Sequence, residues 1–246
     1  RNLVAQGFRE VVLTGVDITS YGPDLPGTPS LGQMVRRLLK AVPELPRLRI
    51  SSIDCIEMDD DLFHVLAEEE RVMPHLHLSL QAGDDMILKR MKRRHSRQDA
   101  IDLTSRLKAA RPEIAFGADL IAGFPTETEE MFENSVSLIE VCQLSFVHVF
   151  PYSSRTGTPA AKMPQLDRQT VKQRAARLRD AATSALNRHL DQHQGKLRQV
   201  LVEAGGQGRL ADFTPVTGLP DELPHGEFAE ILITGQRDGR LVGEVR

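Results

Sequence analysis

The chain has 246 residues, with 31 Lys+Arg against 34 Asp+Glu and 40% hydrophobic residues, which suits a globular protein with a sizeable core. No apolar run approaches the roughly 20 residues of a membrane-spanning helix, so a transmembrane role and a membrane partner are excluded. Only Cys55 and Cys142 are present, which excludes a disulfide framework, a Cys-rich zinc site and an iron–sulfur cluster held by this chain alone; a cytoplasmic, reducing setting is expected.

In chain order, the opening Arg1-Asn-Leu-Val-Ala-Gln-Gly7 reads as the last turns of a helix, with Gly7 as its C-cap. A helix without a beginning, no initiator Met and no signal-peptide pattern lead us to expect a fragment. Strands are predicted at 10–14, 47–53, 75–80, 114–121 and 144–150. Helices are predicted at 31–42, 59–70, 84–93, 97–110 and 127–142, the last opened by a capping box of Thr126 and Glu129. Such alternation means βα units and a parallel sheet. Five strands behind one leading helix suggest a partial open (β/α)6 barrel whose first strand precedes residue 1. A long Arg-rich helix follows at 166–194, stopped by Gly195. Short strands at 197–203, 210–216, 228–234 and 240–245, divided by Gly/Pro turns, then form a small all-β unit. The expected divisions are 1–165, 166–194 and 195–246.

Side-chain alternation says what the sheet is for. Leu76, Leu78 and Leu80 share one face of their strand, and His75, His77, Ser79 and Gln81 the other. Gly117, Asp119, Ile121 and Gly123 likewise share a face, as do Phe146, His148, Phe150 and Tyr152. A closed barrel fills its interior with branched apolar layers, whereas this inner face is polar and partly stripped by glycine, as a ligand-holding face would be. Thr14-Gly-Val-Asp17 ends a strand where ligands of parallel sheets bind, although it also reads as a plain βα turn. Asp119-Leu-Ile-Ala-Gly-Phe-Pro125 could grip a flat heteroaromatic ring, or could simply end a strand at a turn. His75, His77, Asp119 and His148 could ligate a metal or be hydrogen-bonded interior groups, and two-His spacing on a strand favours the second, so no metal is expected. Six Lys/Arg fall within 89–97, a phosphate-contacting cluster or a solvated face. Arg155, between a strand end and Gly157, is the harder residue of its turn to dismiss as surface.

In this order and spacing, Leu13-Thr-Gly-Val-Asp-Ile-Thr-Ser-Tyr-Gly22, Leu78-Ser-Leu-Gln-Ala-Gly83, Leu88-Lys-Arg-Met-Lys-Arg93, Asp119-Leu-Ile-Ala-Gly-Phe-Pro-Thr-Glu-Thr128 and Phe150-Pro-Tyr-Ser-Ser-Arg-Thr-Gly-Thr158 resemble the radical S-adenosylmethionine methylthiotransferases. The tail, with Val200-Leu-Val-Glu203, Gly208 and Ile231-Leu-Ile-Thr234, is similar to a TRAM domain. The first motif most resembles the branch acting on threonylcarbamoyladenosine next to the tRNA anticodon.

The resemblance implies S-adenosylmethionine and two [4Fe–4S] clusters as cofactors, with an electron donor. One cluster, on a C-x3-C-x2-C loop, cleaves the cofactor to a radical that activates an adenine C–H bond; the other delivers sulfur. It implies that Gly15 and Asp17 lie near the methionine amino end, and that Ser79 and Gln81 face ribose or carboxylate. Arg93 would pair with the carboxylate, Ile121 and Gly123 would pack the adenine, and Tyr152 and Arg155 would flank the reaction centre. The 89–97 segment, the 166–194 helix and the tail would meet the tRNA anticodon stem-loop. No C-x3-C-x2-C occurs here, so the chain alone is expected to be inactive, with that motif within about 30 residues upstream. Cys55 stands where relatives are expected to carry Pro and reads as packing. Competing readings are the isopentenyladenosine branch, a branch modifying a ribosomal protein, a metal-dependent barrel hydrolase and a non-catalytic RNA-binding module.

Overall fold

A computed structural model describes residues 1–15 and 17–246, so Val16 of the first motif lies outside the described residues. The parallel half begins with α1 (Asn2–Ala5) and β1 (Glu10–Leu13), which pairs with β2 (Arg47–Ile50). The predicted strand at 47–53 is broken at Ser51. Its first part pairs with β1, and its second, β3 (Ser52–Ile53), pairs with β4 (His75–Gln81). β5 (Ala115–Ala122) and β6 (Leu144–Pro151) complete a four-stranded parallel sheet in the order β3-β4-β5-β6. The connecting helices are α2 (Leu31–Ala41), α3 (Asp60–Glu68), α4 (Asp85–Arg90), α5 (Arg97–Ala110) and α6 (Glu129–Val141). Their apolar faces meet the outer face of the strands, where Leu76, Leu78, Leu80 and Phe116 share one core with Leu62, Leu66, Leu107 and Phe132.

Helix ends follow local chemistry. Ser96 and Asp99 form a reciprocal capping box at the start of α5. The box predicted from Thr126 and Glu129 does not form. The chain must first turn after Pro125, with Thr126 in the left-handed region (φ 68°), so α6 starts later. Thr128 caps it by accepting from the Met131 N–H at 3.2 Å. α4 ends earlier than predicted. Lys92 turns left-handed (φ 60°), and the Arg93 N–H reaches back to the Leu88 carbonyl at 2.9 Å, a Schellman closure that returns Arg93 towards the sheet.

Gly83 marks the closest approach of the β4–α4 turn to α6. Its N–H donates to Ser135 Oγ at 2.9 Å, and an added Cβ would stand 2.4 Å from the Asn134 carbonyl oxygen. Backbone cannot yield as a side-chain tip can. Gly83→Ala is expected to cost about 1–3 kcal/mol, read as a lower urea midpoint at unchanged slope.

The long helix α7 (Arg168–Asp191), capped by Asp167, leads into β7 (Leu197–Glu203), β8 (Gln207–Arg209), β9 (Pro215–Thr217), β10 (Phe228–Arg237) and β11 (Arg240–Val245). These five strands close into a barrel around Val200, Val216, Ile231, Ile233 and Leu241. The predicted strand at 210–216 forms only at its end, where residues 215 and 216 enter β9, because its centre is a turn. Phe213 is held left-handed (φ 74°) and its ring stacks on His75 at 4.7 Å between centroids. The Arg49 guanidinium covers the same ring at 4.9 Å and donates to the Ala211 carbonyl at 3.1 Å. The small barrel thus plugs the amino-terminal end of the parallel strands and leaves their carboxyl ends clear.

Candidate functional site

The inner face of the parallel sheet is polar, as its alternation requires. A cavity of about 530 Å³, within the range of small-molecule sites, opens at the carboxyl ends of β4, β5 and β6. Gln81, Ile121, Phe150, Tyr152 and Arg155 line it, with Phe124 from the following turn. Ile121 and Phe150 are register partners on neighbouring strands, so together they offer a flat apolar wall. Gln81 adopts a left-handed backbone (φ 67°), a strained conformation for a residue with a side chain. The Tyr152 ring meets Phe124 edge-on at 5.4 Å, while its hydroxyl is buried without a partner. Arg155 is exposed on the rim.

A second cavity of about 290 Å³ is lined by Asp17, Ser79 and Arg93, with Asp54, Glu57 and Arg94. Its walls carry both signs of charge. Asp17 accepts from Ser20 Oγ at 2.6 Å, a bond that holds its carboxyl below the usual range. Arg93 Nη2 donates to Asp54 Oδ2 at 2.9 Å and to the Ser79 carbonyl at 2.8 Å. Asp54 also pairs with His95 at 3.3 Å, and His95 Nε2 in turn bonds the Leu80 carbonyl at 3.1 Å. This clamp on the end of β4 was not read from the sequence; a carboxylate just after a strand, capping the turn at Cys55–Glu57, was its one signal. Cys55 is buried and its thiol is pushed up to about 12 by desolvation, which fits packing.

Two expected site residues line neither cavity. Gly15 is exposed, and an added Cβ would make only ordinary contact, 3.6 Å from Ile18 Cβ. Gly123 is turned towards α7: an added Cβ would stand 2.8 Å from Val171 Cγ2, and its φ is 78°. Close packing against α7 accounts for glycine at this position.

The histidines divide. His77 Nε2 and His148 Nδ1 lie 3.1 and 3.3 Å from Asp119 Oδ1. His75 stands one pleat lower, about 7 Å along the strand, between Phe146 and Phe213. Burial pushes its pKa down to about 3. The four-residue set therefore does not assemble, because the plug from the small barrel claims His75.

The sequence model described as "Radical SAM superfamily" matches residues 1–139 of this chain. The chain belongs to that superfamily. Threonylcarbamoyladenosine tRNA methylthiotransferase MtaB of Rickettsia prowazekii (strain Madrid E) is 51% identical over 241 residues, covering 98% of this chain and 57% of that protein. The tRNA-2-methylthio-N(6)-dimethylallyladenosine synthase of Shouchella clausii (strain KSM-K16) is 35% identical over 253 residues, covering 100% of this chain and 48% of that protein. The chain therefore spans about half the length of these curated relatives. Among solved structures, the radical SAM enzyme coproporphyrinogen III oxidase (HemN) of Escherichia coli superposes with a TM-score of 0.52 at 17% identity, covering 74% of this chain and 41% of that one. That likeness shows the radical SAM fold and nothing finer. No described helix is long and apolar enough to cross a membrane.

In this radical SAM chain the 89–97 segment is less free than its charge suggests. Arg90 reaches the Thr126 carbonyl, Arg93 is clamped by Asp54, Arg94 pairs with Glu57, and Arg97 holds the Gly83 carbonyl. Lys89 and Lys92 are exposed. Along α7, Arg174, Arg177 and Arg188 pair with acidic residues of α6 and the turn before it. Guanidinium groups here tie loops and helices together, an outcome that a count of charges does not reveal.

Proposed function

We propose that these residues serve a tRNA methylthiotransferase that adds a methylthio group to C2 of threonylcarbamoyladenosine beside the anticodon. The observation that carries this is the 51% identity, over 98% of this chain, to the Rickettsia threonylcarbamoyladenosine enzyme. We read the parallel half as a partial (β/α)6 radical SAM barrel over 1–165, 166–194 as its connecting helix, and 195–246 as a TRAM-like domain.

S-adenosylmethionine fits the residues present. The wall of Ile121 and Phe150 suits an adenine ring, and Gln81 and Ser79 supply polar groups between the cavities. The mixed charges around Asp17 and Arg93 suit a zwitterionic amino-acid end, with Arg93 already oriented by Asp54. Next to a reduced [4Fe–4S] cluster, the cofactor supplies hydrogen-abstracting chemistry and the methyl group. The clusters do not fit this chain. Its two cysteines are both buried, and burial raises both thiols above their ordinary pKa. The cluster ligands would come from other residues, so these alone should catalyse no methylthiolation. Arg155 on the rim, Lys89 and Lys92, the exposed side of α7 and the small barrel would meet the anticodon stem-loop.

Nucleoside analysis of tRNA tests the reading. Deleting the gene should abolish the methylthio form of threonylcarbamoyladenosine and leave the methylthio isopentenyladenosine level intact. Loss of the second nucleoside alone would move the function to the other branch, and no change in either would remove it from both.

A further inference from the structure

Three neighbouring strands bring His77, Asp119 and His148 together on the inner face, with His77 one step nearer the amino ends. Register places Asp119 opposite His148 and His77 opposite Gly117, so the carboxylate stands between two imidazoles. His77 Nε2 and His148 Nδ1 approach the same oxygen at 3.1 and 3.3 Å, and all three ligand atoms lie within 4.8 Å of one another. An ion bound tetrahedrally by N and O atoms at about 2.0–2.1 Å sets neighbouring ligands roughly 3.3 Å apart. Both imidazole nitrogens already stand near that spacing from the carboxylate oxygen. Gly117 makes the arrangement possible, since a Cβ there would come within 2.6 Å of His77 Nδ1.

A second triad shows what a closed alternative looks like. His189 and His193 flank Asp212 at 3.5 and 3.1 Å where α7 meets the small barrel. There His189 Nε2 already bonds Thr214 Oγ1 at 2.8 Å, and Arg198 Nε donates to His193 Nδ1 at 3.2 Å. A ring that accepts at Nδ1 carries its proton on Nε2, and that N–H faces Asp212. Such a nitrogen is a donor and not a ligand. At the inner triad, among the described residues, no donor is aimed at the other nitrogen of His77 or His148, and His148 is open to solvent.

We propose that His77, Asp119 and His148 bind one divalent transition-metal ion of the zinc or ferrous type on the floor below Ile121 and Phe150, with a coordination position open to the barrel interior. Two imidazoles and one carboxylate form the donor set that such ions favour. The inference stands on this chain's own side chains and is independent of which nucleoside the enzyme modifies.

The test titrates the 246-residue chain, stripped with chelator, with Co²⁺ and follows the visible d–d absorption. Saturation at one equivalent, reversed by Zn²⁺, is expected. Asp119→Asn and His148→Gln should each weaken Co²⁺ binding by more than about 100-fold, beyond the loss of an outer-sphere partner, whereas His193→Gln should leave it unchanged. His148 is exposed on the edge strand, so His148→Gln is expected to keep the fold, checked by far-UV circular dichroism. No saturable band, an unchanged midpoint in folded His148→Gln, or a band lost only in His193→Gln would overturn the site.

Discussion

Arg174→Ala is expected to lower the free energy of unfolding by about 3–5 kcal/mol, the cost of leaving a buried charge without its partner. Arg174 Nη1 donates to the Glu127 carboxylate at 2.8 Å and to the Glu127 carbonyl at 2.9 Å, and Nη2 reaches Glu129 at 3.1 Å. The Glu127 side chain is only 1% exposed. Burial pushes its pKa up even with the guanidinium beside it. Without Arg174, the Gly123 N–H at 3.0 Å remains as its bond. The pair joins α7 to the turn between β5 and α6, which also carries Phe124 into the cavity wall, so the loss should loosen that wall too. Arg177 makes a useful contrast. It pairs with Glu129 and Glu133 from a side chain 48% exposed, and Arg177→Ala should cost under about 1 kcal/mol. Replacing both partners, as Arg174→Met with Glu127→Gln, should recover much of the stability lost in Arg174→Ala. Urea unfolding of the four proteins decides the matter; equal losses for the two alanine variants would refute the buried-pair account.

The sheet and its polar side were legible because alternation in a strand is a local property. In His75–Gln81 every second residue is leucine, and only one orientation buries all three. The ordered motifs carried the superfamily for a similar reason, since four of the five sit at a strand's carboxyl end. What failed was set by distant parts of the chain. Thr126 and Thr128 are equally good caps in isolation, and the choice depends on how the chain leaves Pro125. Residues 210–216 have strand character, yet Phe213 gains more by stacking on His75, a partner far back in the sequence. Gly123 has a reason to be glycine that its own strand does not show, Val171 of α7 standing against it. His75 and His77 share a face and still do different work, because the plug reaches one and not the other. Asp54 was missed outright. Its importance lies in joining Arg93 and His95 to the end of β4, and no periodicity marks a single carboxylate with that role.

Acidification should destabilise the fold well before its carboxylates titrate. Burial holds His75 and His189 neutral, with pKa values pushed down to about 3 and about 4, whereas an unfolded imidazole titrates near 6.5. Between pH 6.5 and 4 the unfolded chain therefore binds more protons than the folded one. Stability is then fully present above pH 6.5 and is lost as pH falls through that window. Each group changes the unfolding free energy by about 1.4 kcal/mol per pH unit where only the unfolded form is protonated, so the two together remove several kcal/mol by pH 4.5. Asp212, whose carboxyl His193 and His189 hold below its ordinary pKa against the opposing effect of burial, has a linkage of the same sign, but its contribution is lost only below the ordinary carboxylate pKa. Both imidazoles lie where the Phe213 turn meets the base of the sheet, so the small barrel should loosen first, seen as faster hydrogen exchange in β7 and β9. His189→Gln should flatten the pH dependence of the urea midpoint between pH 7 and 5. A midpoint constant over that range in the unsubstituted chain would show that neither ring is held neutral by the fold.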